Sequence, residues 1–327
     1  MSIFITKINT MGTVVEESQT WVAEIGRSMG FRELGIRRTG GAEDPEELKL
    51  IIDGITNSVC TGDIVIFQYP TWKTGLFNTM LVQHLKHLGA KMIMFVQDVI
   101  PLLDGNNIAG YIGYDVTVMN LADLLIMASP QLHETMIGYG LNADIKTIYQ
   151  PLWDYPAEQV ITSHETLRRL IFTGGSDFSW YEGATPIHQF SSSEHRAEHS
   201  SIVWHGFMEK HDLIKEMARG GFGLVYESDD DFYRYDCMNQ SYKFGGYIAA
   251  GLPVIVRRGS AQENFVLENQ IGFSVDTVAE ADEIVQNITD EAYNKLYNNV
   301  TGIQFLVTRG EYTRRMLSEA LIQLMEK

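Results

Sequence analysis

Residues 239–256 carry the residue types that can hold a phosphate group. The polar loop Asn239 to Ser241 leads into small and apolar residues that end at Gly251, and an apolar run follows. This pattern predicts a helix whose start exposes free backbone N–H groups at the positive end of its dipole, which suits a diphosphate. Lys243, in the first turn, adds a positive charge for the same anion. An ordinary helix crossover with a solvated lysine remains the alternative.

Asp98 is a candidate for proton transfer. It follows the apolar run KMIMFV at 91–96, a predicted buried strand, and is therefore expected near the carboxyl end of that strand. A carboxylate there can act as a general base or bind an acceptor hydroxyl. It can equally orient a loop by accepting hydrogen bonds from backbone N–H groups, and the sequence favours neither role.

The acidic run Asp229 to Asp231 suggests a carboxylate–metal motif, but a solvated loop is the expected alternative because Tyr- and Phe-rich sequence follows it. The nine histidines show no metal-ligand spacing. The sequence also lacks a Gly-x-Ser-x-Gly elbow and a Walker phosphate loop. Hydrolase and NTPase functions therefore have no support.

Composition and charge narrow the class of protein. The 327 residues suggest two domains, and a net charge of -17 disfavours nucleic acid and anionic lipid as partners. The two cysteines, Cys60 and Cys237, cannot form a disulfide framework, which fits a reducing cytoplasm. Apolar runs stay far below the roughly 18 residues that span a bilayer, so no membrane span is expected. The first residues are predicted to form a strand rather than a signal peptide.

Apolar strands alternate with helical patterns along the whole chain, which indicates parallel α/β sheets. Strands are predicted at 3–8, 35–37, 63–68, 91–96, 123–127, 146–148, 169–173, 202–205, 222–225, 253–256 and 273–275. Helices are predicted at 16–29, 46–55, 76–88, 116–122, 131–139, 211–219, 242–250, 261–268, 291–300 and 308–325. The two prolines at 151–156 predict a linker between two domains. Ligands should bind at the carboxyl ends of the strands.

The second half resembles the nucleotide-sugar domain of GT-B glycosyltransferases. The pattern KxxxYxAAGLPVI at 243–255 is similar to the signature of that domain, and FTGGS at 172–176 resembles its first strand and loop. His205-Gly-Phe207, followed by Leu213, resembles its base-binding element. The resemblance implies an α/β protein with two Rossmann-like domains facing across a cleft. Residues 1–150 would form the acceptor side, 151–307 the nucleotide-sugar side, and the helix at 308–327 would pack back on the first domain.

A narrower resemblance, to the glucosyltransferase-3 family, covers nearly the whole chain. Its segments are GFRELGI at 30–36, GDIVIFQYPTW at 62–72, QDVIPL at 97–102, WDYP at 153–156, GGFGLV at 220–225, SYK at 241–243 and TRRMLSE at 313–319. The family implies transfer of glucose from UDP-glucose to O-linked N-acetylglucosamine (GlcNAc) on serine-rich-repeat adhesins of streptococci and lactobacilli. It also implies a homotetramer that needs no metal, and no other cofactor is expected.

The resemblance implies donor-site residues one by one. UDP-sugar-binding residues would be Gly12, Thr13, Thr173, Gly174, Phe207, Asn239, Ser241, Tyr242, Lys243 and Phe244. Thr13 lies in the loop 9–13 and would touch the diphosphate, although it can also cap the next helix. Phe207 would lie against uracil, with a place in the hydrophobic core as the alternative.

An acceptor loop is implied at 69–75. Its contact residues would be Thr71, Trp72, Lys73 and Thr74, with Trp72 and Lys73 at the tip. An exposed tryptophan suits stacking on a sugar ring. Packing beneath the loop is the alternative for Trp72.

One departure from the family pattern concerns charge. The family tends to carry an arginine after the glycine-rich turn, whereas this chain has Gly174-Gly175-Ser176 and no basic residue before Trp180. Neutralisation of the diphosphate would then depend more on Lys243. Arg234 and Arg257 are possible substitutes, but the sequence places neither. Two alternatives remain: a transferase that uses UDP-GlcNAc or UDP-galactofuranose on a glycan, and a non-catalytic partner subunit.

Overall fold

Two parallel six-stranded sheets organise the chain in the computed structural model, which describes residues 1–9, 12–37, 44–105, 108–157, 166–194 and 200–326. One compact unit comprises Met1–Gln150 and Thr313–Lys327, and the other comprises Pro151–Tyr312. The predicted α/β fold class is confirmed. Among the described residues, no helix is both long and apolar enough to cross a membrane.

The first unit contains the sheet with strand order β2-β1-β3-β4-β5-β6. Its strands are β1 (Ile3–Asn9), β2 (Arg32–Arg37), β3 (Ile64–Tyr69), β4 (Lys91–Val96), β5 (Leu124–Met127) and β6 (Lys146–Tyr149). Every residue of β3 and β5 is buried, as expected for central parallel strands covered on both faces. Because all neighbouring strands of this sheet are parallel, their carboxyl ends lie along one edge.

The second unit contains the sheet with strand order β12-β11-β10-β7-β8-β9. Its strands are β7 (Leu170–Thr173), β8 (Ile187–Phe190), β9 (Ile202–Trp204), β10 (Phe222–Val225), β11 (Val254–Arg257) and β12 (Gly272–Val275). All neighbouring pairs are parallel. The ends of β7, β10 and β11 are consecutive along one edge, and the loops that follow them form the candidate site.

Helices occupy most of the sequence between the strands. They are α1 (Val14–Ser28), α2 (Pro45–Thr56), α3 (Gly75–His87), α4 (Ile100–Asp104), α5 (Ile108–Met119), α6 (Pro130–Gly138), α7 (Lys210–Met217), α8 (Asp230–Asp236), α9 (Tyr242–Ala249), α10 (Glu263–Glu268), α11 (Val278–Asn287), α12 (Asp290–Arg309) and α13 (Glu311–Met325). The ammonium of Lys146 donates a hydrogen bond of 2.9 Å to the carbonyl oxygen of Gln323, which joins α13 to β6 within the first unit.

Several elements differ from the sequence-based expectation, among them α4 and α11, which were not predicted as helices. Strand β8 was not predicted, because His188 and Gln189 interrupt its apolar pattern. Helix α5 begins eight residues before the predicted 116, since Gly110 and Gly113 weaken the helical signal. The acidic run 229–231 was predicted as a loop, but α8 begins there: the carboxylate of Asp229 accepts a hydrogen bond from the backbone N–H of Phe232.

Candidate functional site

The start of α9 lies beside the ends of β7 and β10. Ser241 occupies the N-cap position, and its hydroxyl makes no capping hydrogen bond. A side chain at Gly245 would come within 2.1 Å of the carbonyl oxygen of Trp153, so only glycine allows α9 to approach this segment. Because the Ser241 hydroxyl does not cap the helix, backbone N–H groups in the first turn of α9 can serve as donors, as the sequence predicts for a phosphate-binding helix start.

Lys243 projects from this first turn into an ion pair. Its Nζ lies 2.6 Å from Oε1 of Glu227 and 4.4 Å from the centroid of the Phe172 ring. Both charged side chains are largely shielded, with 19% and 17% exposure. Burial disfavours the charged lysine, but Glu227, Tyr247 and Asp236 together outweigh that effect and raise the pKa of Lys243. Lys243 is thus a charged group with a resident counter-ion rather than a solvated lysine.

Glu227 connects the loops around the site, and the sequence analysis missed it. One carboxylate oxygen accepts from Lys243, and the other accepts from the hydroxyl of Ser176 in the glycine-rich turn. The backbone oxygen of Glu227 accepts a hydrogen bond of 2.6 Å from Nη1 of Arg257. Its place two residues after β10 was the available signal, because ligands bind at such strand ends.

Arg257 and Asp236 complete the charged cluster. The guanidinium carbon of Arg257 lies 3.5 Å from the centroid of the Tyr233 ring and 5.0 Å from that of Tyr226. Burial raises the pKa of Asp236 to about 7; Lys243 and Arg257 oppose this rise, and Glu227 adds to it. Oδ2 of Asp236 is buried and has no hydrogen-bond partner in the described part of the chain. Lys243, Arg257, Glu227 and Asp236 thus contribute two cations and two carboxyl groups to the cluster.

The glycine-rich turn after β7 is fixed by two polar side chains. The backbone N–H of Thr173 donates to the hydroxyl of Tyr247, at 3.0 Å. The amide of Gln189 donates to the carbonyl oxygens of Gly174 and Ser176, at 3.0 and 2.9 Å. Gly174 has a φ of 144°, a conformation that favours glycine. The turn thereby reaches α9: a side-chain carbon at Gly174 would lie 3.7 Å from Nζ of Lys243.

The aromatic residues of segment 239–244 mostly serve packing. The Tyr242 ring lies 6.0 Å from that of Trp153 and 5.0 Å from that of Tyr155, centroid to centroid. Phe244 is fully buried and packs edge-on against Phe265. The expectation that Phe244 contacts the donor is therefore wrong for its side chain. The amide of Asn239 donates a hydrogen bond of 3.2 Å to the Tyr235 hydroxyl, which positions Asn239 before the start of α9.

Phe207 lies in a separate loop after β9. Its ring is 70% exposed, so it does not belong to the core. Strand β9 is three positions along the sheet from β10, which is about 14 Å at the usual spacing between strands.

In the first unit, Gly12 and Thr13 lie at the start of α1. The backbone N–H of Gly12 donates to Oε2 of Glu16, at 2.7 Å, and Gly12 has a φ of 61°. Thr13 is exposed at the N-cap position, but its hydroxyl makes no capping hydrogen bond. Thr10 and Met11 of the same loop lie outside the described residues.

The predicted acceptor loop is more buried than expected. Thr71 is fully buried, and its hydroxyl bonds to the amide oxygen of Asn78. Trp72 is half-buried with a φ of 57°, and its indole nitrogen has no partner within the described ranges. The ammonium of Lys73 lies 4.7 Å from the centroid of the Phe77 ring, and Thr74 caps α3. Thr71 is therefore a structural residue, and Trp72 is not the exposed tip that was expected.

Asp98 follows β4 by two residues and is half-buried. Beside it, the buried Gln97 donates a hydrogen bond of 2.6 Å to Gln68, whose amide donates at 2.6 Å to the carbonyl oxygen of Thr6. These bonds link the carboxyl ends of β4 and β3 to the middle of β1, and the sequence analysis did not identify them. No group of three or more potential metal ligands occurs among the residues that the structure describes.

Comparison with protein families divides the chain at the same place as the fold. Residues 2–152 match the family model for the glucosyltransferase 3-like N-terminal domain. Residues 173–320 match the model for the glucosyltransferase 3-like C-terminal domain. Together the two models cover most of the chain.

Curated relatives match over nearly their full length. Glucosyltransferase 3 of Streptococcus parasanguinis is 32% identical, over 99% of both chains. Glucosyltransferase 3 of Streptococcus gordonii is 31% identical, over 94% of both chains. The β-1,6-galactofuranosyltransferase WbbI of Escherichia coli (strain K12) is 24% identical, over 85% of this chain and 84% of the relative.

Solved structures with the same fold include GT-B glycosyltransferases. A sucrose-phosphate synthase from Thermosynechococcus elongatus superposes with a TM-score of 0.66 at 10% identity, over 99% of both chains. An α,α-trehalose-phosphate synthase (UDP-forming) from Burkholderia vietnamiensis gives a TM-score of 0.64 at 10% identity, over 99% of this chain and 100% of that chain. At this identity the likeness establishes the GT-B fold alone.

Proposed function

Because the chain belongs to the glucosyltransferase 3-like family and is a GT-B glycosyltransferase, we propose that it transfers glucose from UDP-glucose to O-linked GlcNAc on a serine-rich-repeat adhesin. The name of the two streptococcal relatives supports glucose as the transferred sugar. The acceptor follows from the sequence resemblance to the same family. The observation that carries the proposal is the charged Lys243 at the start of α9.

The proposed donor site lies in the second unit. Backbone N–H groups in the first turn of α9, together with Lys243, would receive the diphosphate. When the bond between the sugar and the diphosphate breaks, negative charge grows on the departing UDP, and a fixed ammonium stabilises that charge more than it stabilises the bound substrate. Glu227 would hold Lys243 in place before the substrate arrives. Phe207, exposed in the loop after β9, would cover the uracil.

The remaining donor contacts are proposed from the places of the residues in the fold. Thr173 and Gly174 would meet the diphosphate from the glycine-rich turn, and Asn239 and Ser241 would meet it from the loop before α9. Tyr242 would act through its backbone, because its ring packs on Trp153 and Tyr155. In the first unit, Gly12 and Thr13 would contribute through the start of α1.

The proposed acceptor groups lie in the first unit. Asp98, near the end of β4, would bind or deprotonate the attacking GlcNAc hydroxyl. Trp72, Lys73 and Thr74 would contact the glycan from the loop before α3, and the half-buried ring of Trp72 would stack on a sugar. We further propose that the protein acts in the cytoplasm as a homotetramer, with the charges of Lys243 and the helix start in place of a metal ion.

A galactofuranosyl donor is the second candidate. The E. coli β-1,6-galactofuranosyltransferase aligns over 85% of this chain, so a related fold and sequence serve a different sugar in that protein. The two candidates share the diphosphate chemistry and differ in the sugar that is transferred and in the acceptor, which is a glycan for the second candidate. Lys243 would have the same role in both.

Product analysis tests the proposal. The purified chain is incubated with UDP-glucose, UDP-GlcNAc or UDP-galactofuranose and a synthetic serine-rich peptide carrying O-linked GlcNAc, and the peptide is weighed by mass spectrometry. The expected result is addition of one hexose from UDP-glucose. Because glucose and galactofuranose add the same mass, the separate incubations identify the donor. Lack of addition from every donor, together with lack of UDP binding by calorimetry, would refute the assignment.

A further inference from the structure

Strands β1 and β3 are paired with each other only over their first halves. The pairing ends at Ile5 and Ile66. Strand β1 continues to Asn9, where it is still paired with β2, and β3 continues to Tyr69, where it is still paired with β4. The unpaired halves of β1 and β3 thus meet where the order of the strands reverses along the chain. Open α/β sheets bind ligands outside the carboxyl ends of the strands at such a place.

Buried side chains make the hydrogen bonds between these unpaired halves. The backbone N–H of Gln68 donates to the hydroxyl of Thr6 at 2.8 Å. The side-chain amide of Gln68 donates to the carbonyl oxygens of Thr6 and Gln19, at 2.6 and 3.0 Å. Its amide oxygen accepts from Gln97 at 2.6 Å, which fixes the direction of the amide. The separation of the two strands is therefore a built feature, in which backbone groups of both strands have side-chain partners.

Gln19, on α1, connects the two strands with one side chain. Its Oε1 accepts a hydrogen bond of 3.3 Å from the backbone N–H of Ile8, the residue before the end of β1. Its Nε2 donates at 2.9 Å to the carbonyl oxygen of Pro70, the residue after β3. Gln19 is 0% exposed, so solvent does not compete for either bond. One amide thus fixes the ends of β1 and β3 relative to each other.

The bond to Pro70 matters because this residue leads into the proposed acceptor loop. Pro70 is buried, and a buried carbonyl oxygen without a donor is unfavourable. Without Gln19, the oxygen could regain a partner only if Pro70 moved toward water. Such a movement would displace Trp72, Lys73 and Thr74, which follow directly and are proposed to contact the glycan.

We infer that Gln19 is a positioning residue for the acceptor: through Pro70 it holds the loop 69–75 in the arrangement that binds the glycan. This inference rests on the proposed function, because it takes the acceptor role of that loop from it. Gln19 is buried and therefore acts through the loop rather than by touching the sugar. Its loss should weaken acceptor binding and leave the nucleotide, held in the second unit by Lys243 and the start of α9, largely unaffected.

The test measures sugar transfer to the serine-rich GlcNAc peptide, and UDP binding by calorimetry, in the full-length protein. Gln19→Met removes both side-chain hydrogen bonds at similar size. Gln19→Glu keeps an acceptor for Ile8, but its carboxyl group can donate to Pro70 only while it is protonated. Thr56→Val is the matched control, because Thr56 is also buried in the first unit and donates at 2.7 Å to the carbonyl oxygen of Ile52 within α2. Thermal melting of each variant checks that the protein is folded.

The expected result for Gln19→Met is a rise of about tenfold in the KM for the peptide, with UDP affinity within about twofold of the wild type. In Gln19→Glu, the KM for the peptide, divided by that of the wild type at the same pH, should be several-fold higher at about pH 8 than at about pH 6. The reason is that a buried carboxyl group has a raised pKa and loses its proton as the pH rises through it. Thr56→Val should keep the KM of the wild type.

An unchanged KM for the peptide in Gln19→Met, or an equal rise in Thr56→Val, would overturn the inference. A loss of UDP affinity as large as the rise in KM would overturn it too, because the damage would not be specific to the acceptor. If Gln19→Met does not fold, the pH contrast in Gln19→Glu decides. Failure of the wild-type protein to transfer sugar would instead remove the proposed function. Trypsin cleavage after Lys73, faster in Gln19→Met than in Thr56→Val, would then still show that Gln19 holds the loop.

Discussion

Lys243 and Glu227 form a shielded ion pair in which Nζ lies 2.6 Å from Oε1. The two residues come from different elements, the first turn of α9 and the loop after β10. An anion that approaches Lys243 also approaches the carboxylate of Glu227. The affinity of the site for phosphate therefore reflects attraction by one residue and repulsion by the other.

This opposition predicts the behaviour of a double variant. Lys243→Ala should lower UDP affinity by about tenfold or more, because it removes the attraction and leaves the Glu227 carboxylate uncompensated. Adding Glu227→Gln to Lys243→Ala should restore part of that affinity, since the repulsion is then removed as well. Calorimetric titration with UDP measures all three proteins.

Lys215→Ala is the control, because Lys215 is an exposed lysine on α7 of the same unit. It should bind UDP like the wild type. A double variant that binds more weakly than Lys243→Ala alone would show that Glu227 contributes to UDP binding by itself, contrary to this account.

The buried carboxyl group of Asp236 predicts a pH dependence of donor binding. Its pKa is raised by burial to about 7, with Lys243 and Arg257 opposing the rise and Glu227 adding to it. Below that pH the group is neutral; above it, a further negative charge lies beside the two cations. UDP-glucose affinity should therefore fall by a few-fold as the pH rises from about 6 to about 8.

UDP-glucose is the ligand for this measurement because its diphosphate keeps its charge across that range. Asp236→Asn should bind UDP-glucose with nearly the same affinity at both ends of the range. The same decline in the variant as in the wild type would place the titrating group elsewhere.

Tyr69 and Asp115 predict a pH dependence of stability in the first unit. Burial raises the pKa of Asp115 from 3.8 to about 6, and the hydrogen bond from the Tyr69 hydroxyl lowers it in part. The folded state therefore binds the proton more tightly than the unfolded state does. The free energy of unfolding should fall as the pH rises from about 4 to about 6, by up to about 3 kcal/mol.

Urea denaturation across this pH range measures the effect. Asp115→Asn should remove most of the decline. Tyr69→Phe should steepen it, because the buried carboxylate then lacks the phenol that stabilises its charged form. If the free energy of unfolding falls with pH equally in the wild type, Asp115→Asn and Tyr69→Phe, Asp115 is ionised to the same extent in the folded and unfolded states.

Replacement of Trp72 by glycine and by alanine should give proteins of different stability. Its φ of 57° is unfavourable for any residue with a Cβ atom. Trp72→Gly and Trp72→Ala both remove the indole, but glycine also relieves the backbone, so Trp72→Gly should be the more stable variant by about 1 kcal/mol. Both should lose glycan transfer and keep UDP affinity, because Trp72 is proposed to contact the acceptor only.

Mass analysis of the glycopeptide product, calorimetry with UDP and chemical denaturation provide the three measurements. Trp180→Ala is the control, since Trp180 is 54% exposed and belongs to the second unit. Transfer by Trp72→Ala at the wild-type rate would exclude Trp72 from acceptor binding.

The sheets could be predicted from sequence because their central strands are continuous apolar runs. Strands β4 and β11 lie where KMIMFV and PVIV predict them, as expected for strands covered on both faces. The helix ends at Gly89 and Gly251 were equally clear: both residues have positive φ, which a glycine at a helix terminus provides. These features depend on local sequence alone.

The charged cluster could not be predicted because its contacts join distant residues. Glu227 pairs with Lys243, 16 positions later, and also holds Ser176, 51 positions earlier. The buried state of Asp236 depends on α8, which was predicted as a loop. Arg257 could be proposed as a cation from the sequence, but only the fold shows that it lies over Tyr233 and reaches Glu227.

The division of the chain has a practical consequence for dissecting the protein. The polypeptide leaves the first unit at Gln150 and returns to it at Thr313. The second unit is thus one uninterrupted stretch, 151–312, whereas no single stretch of sequence contains the first unit alone. A stop codon placed after residue 312 would spare the residues of the charged cluster and would damage the N-terminal sheet's own unit by removing α13. Loss of activity after C-terminal truncation should therefore be attributed to damage in the N-terminal unit.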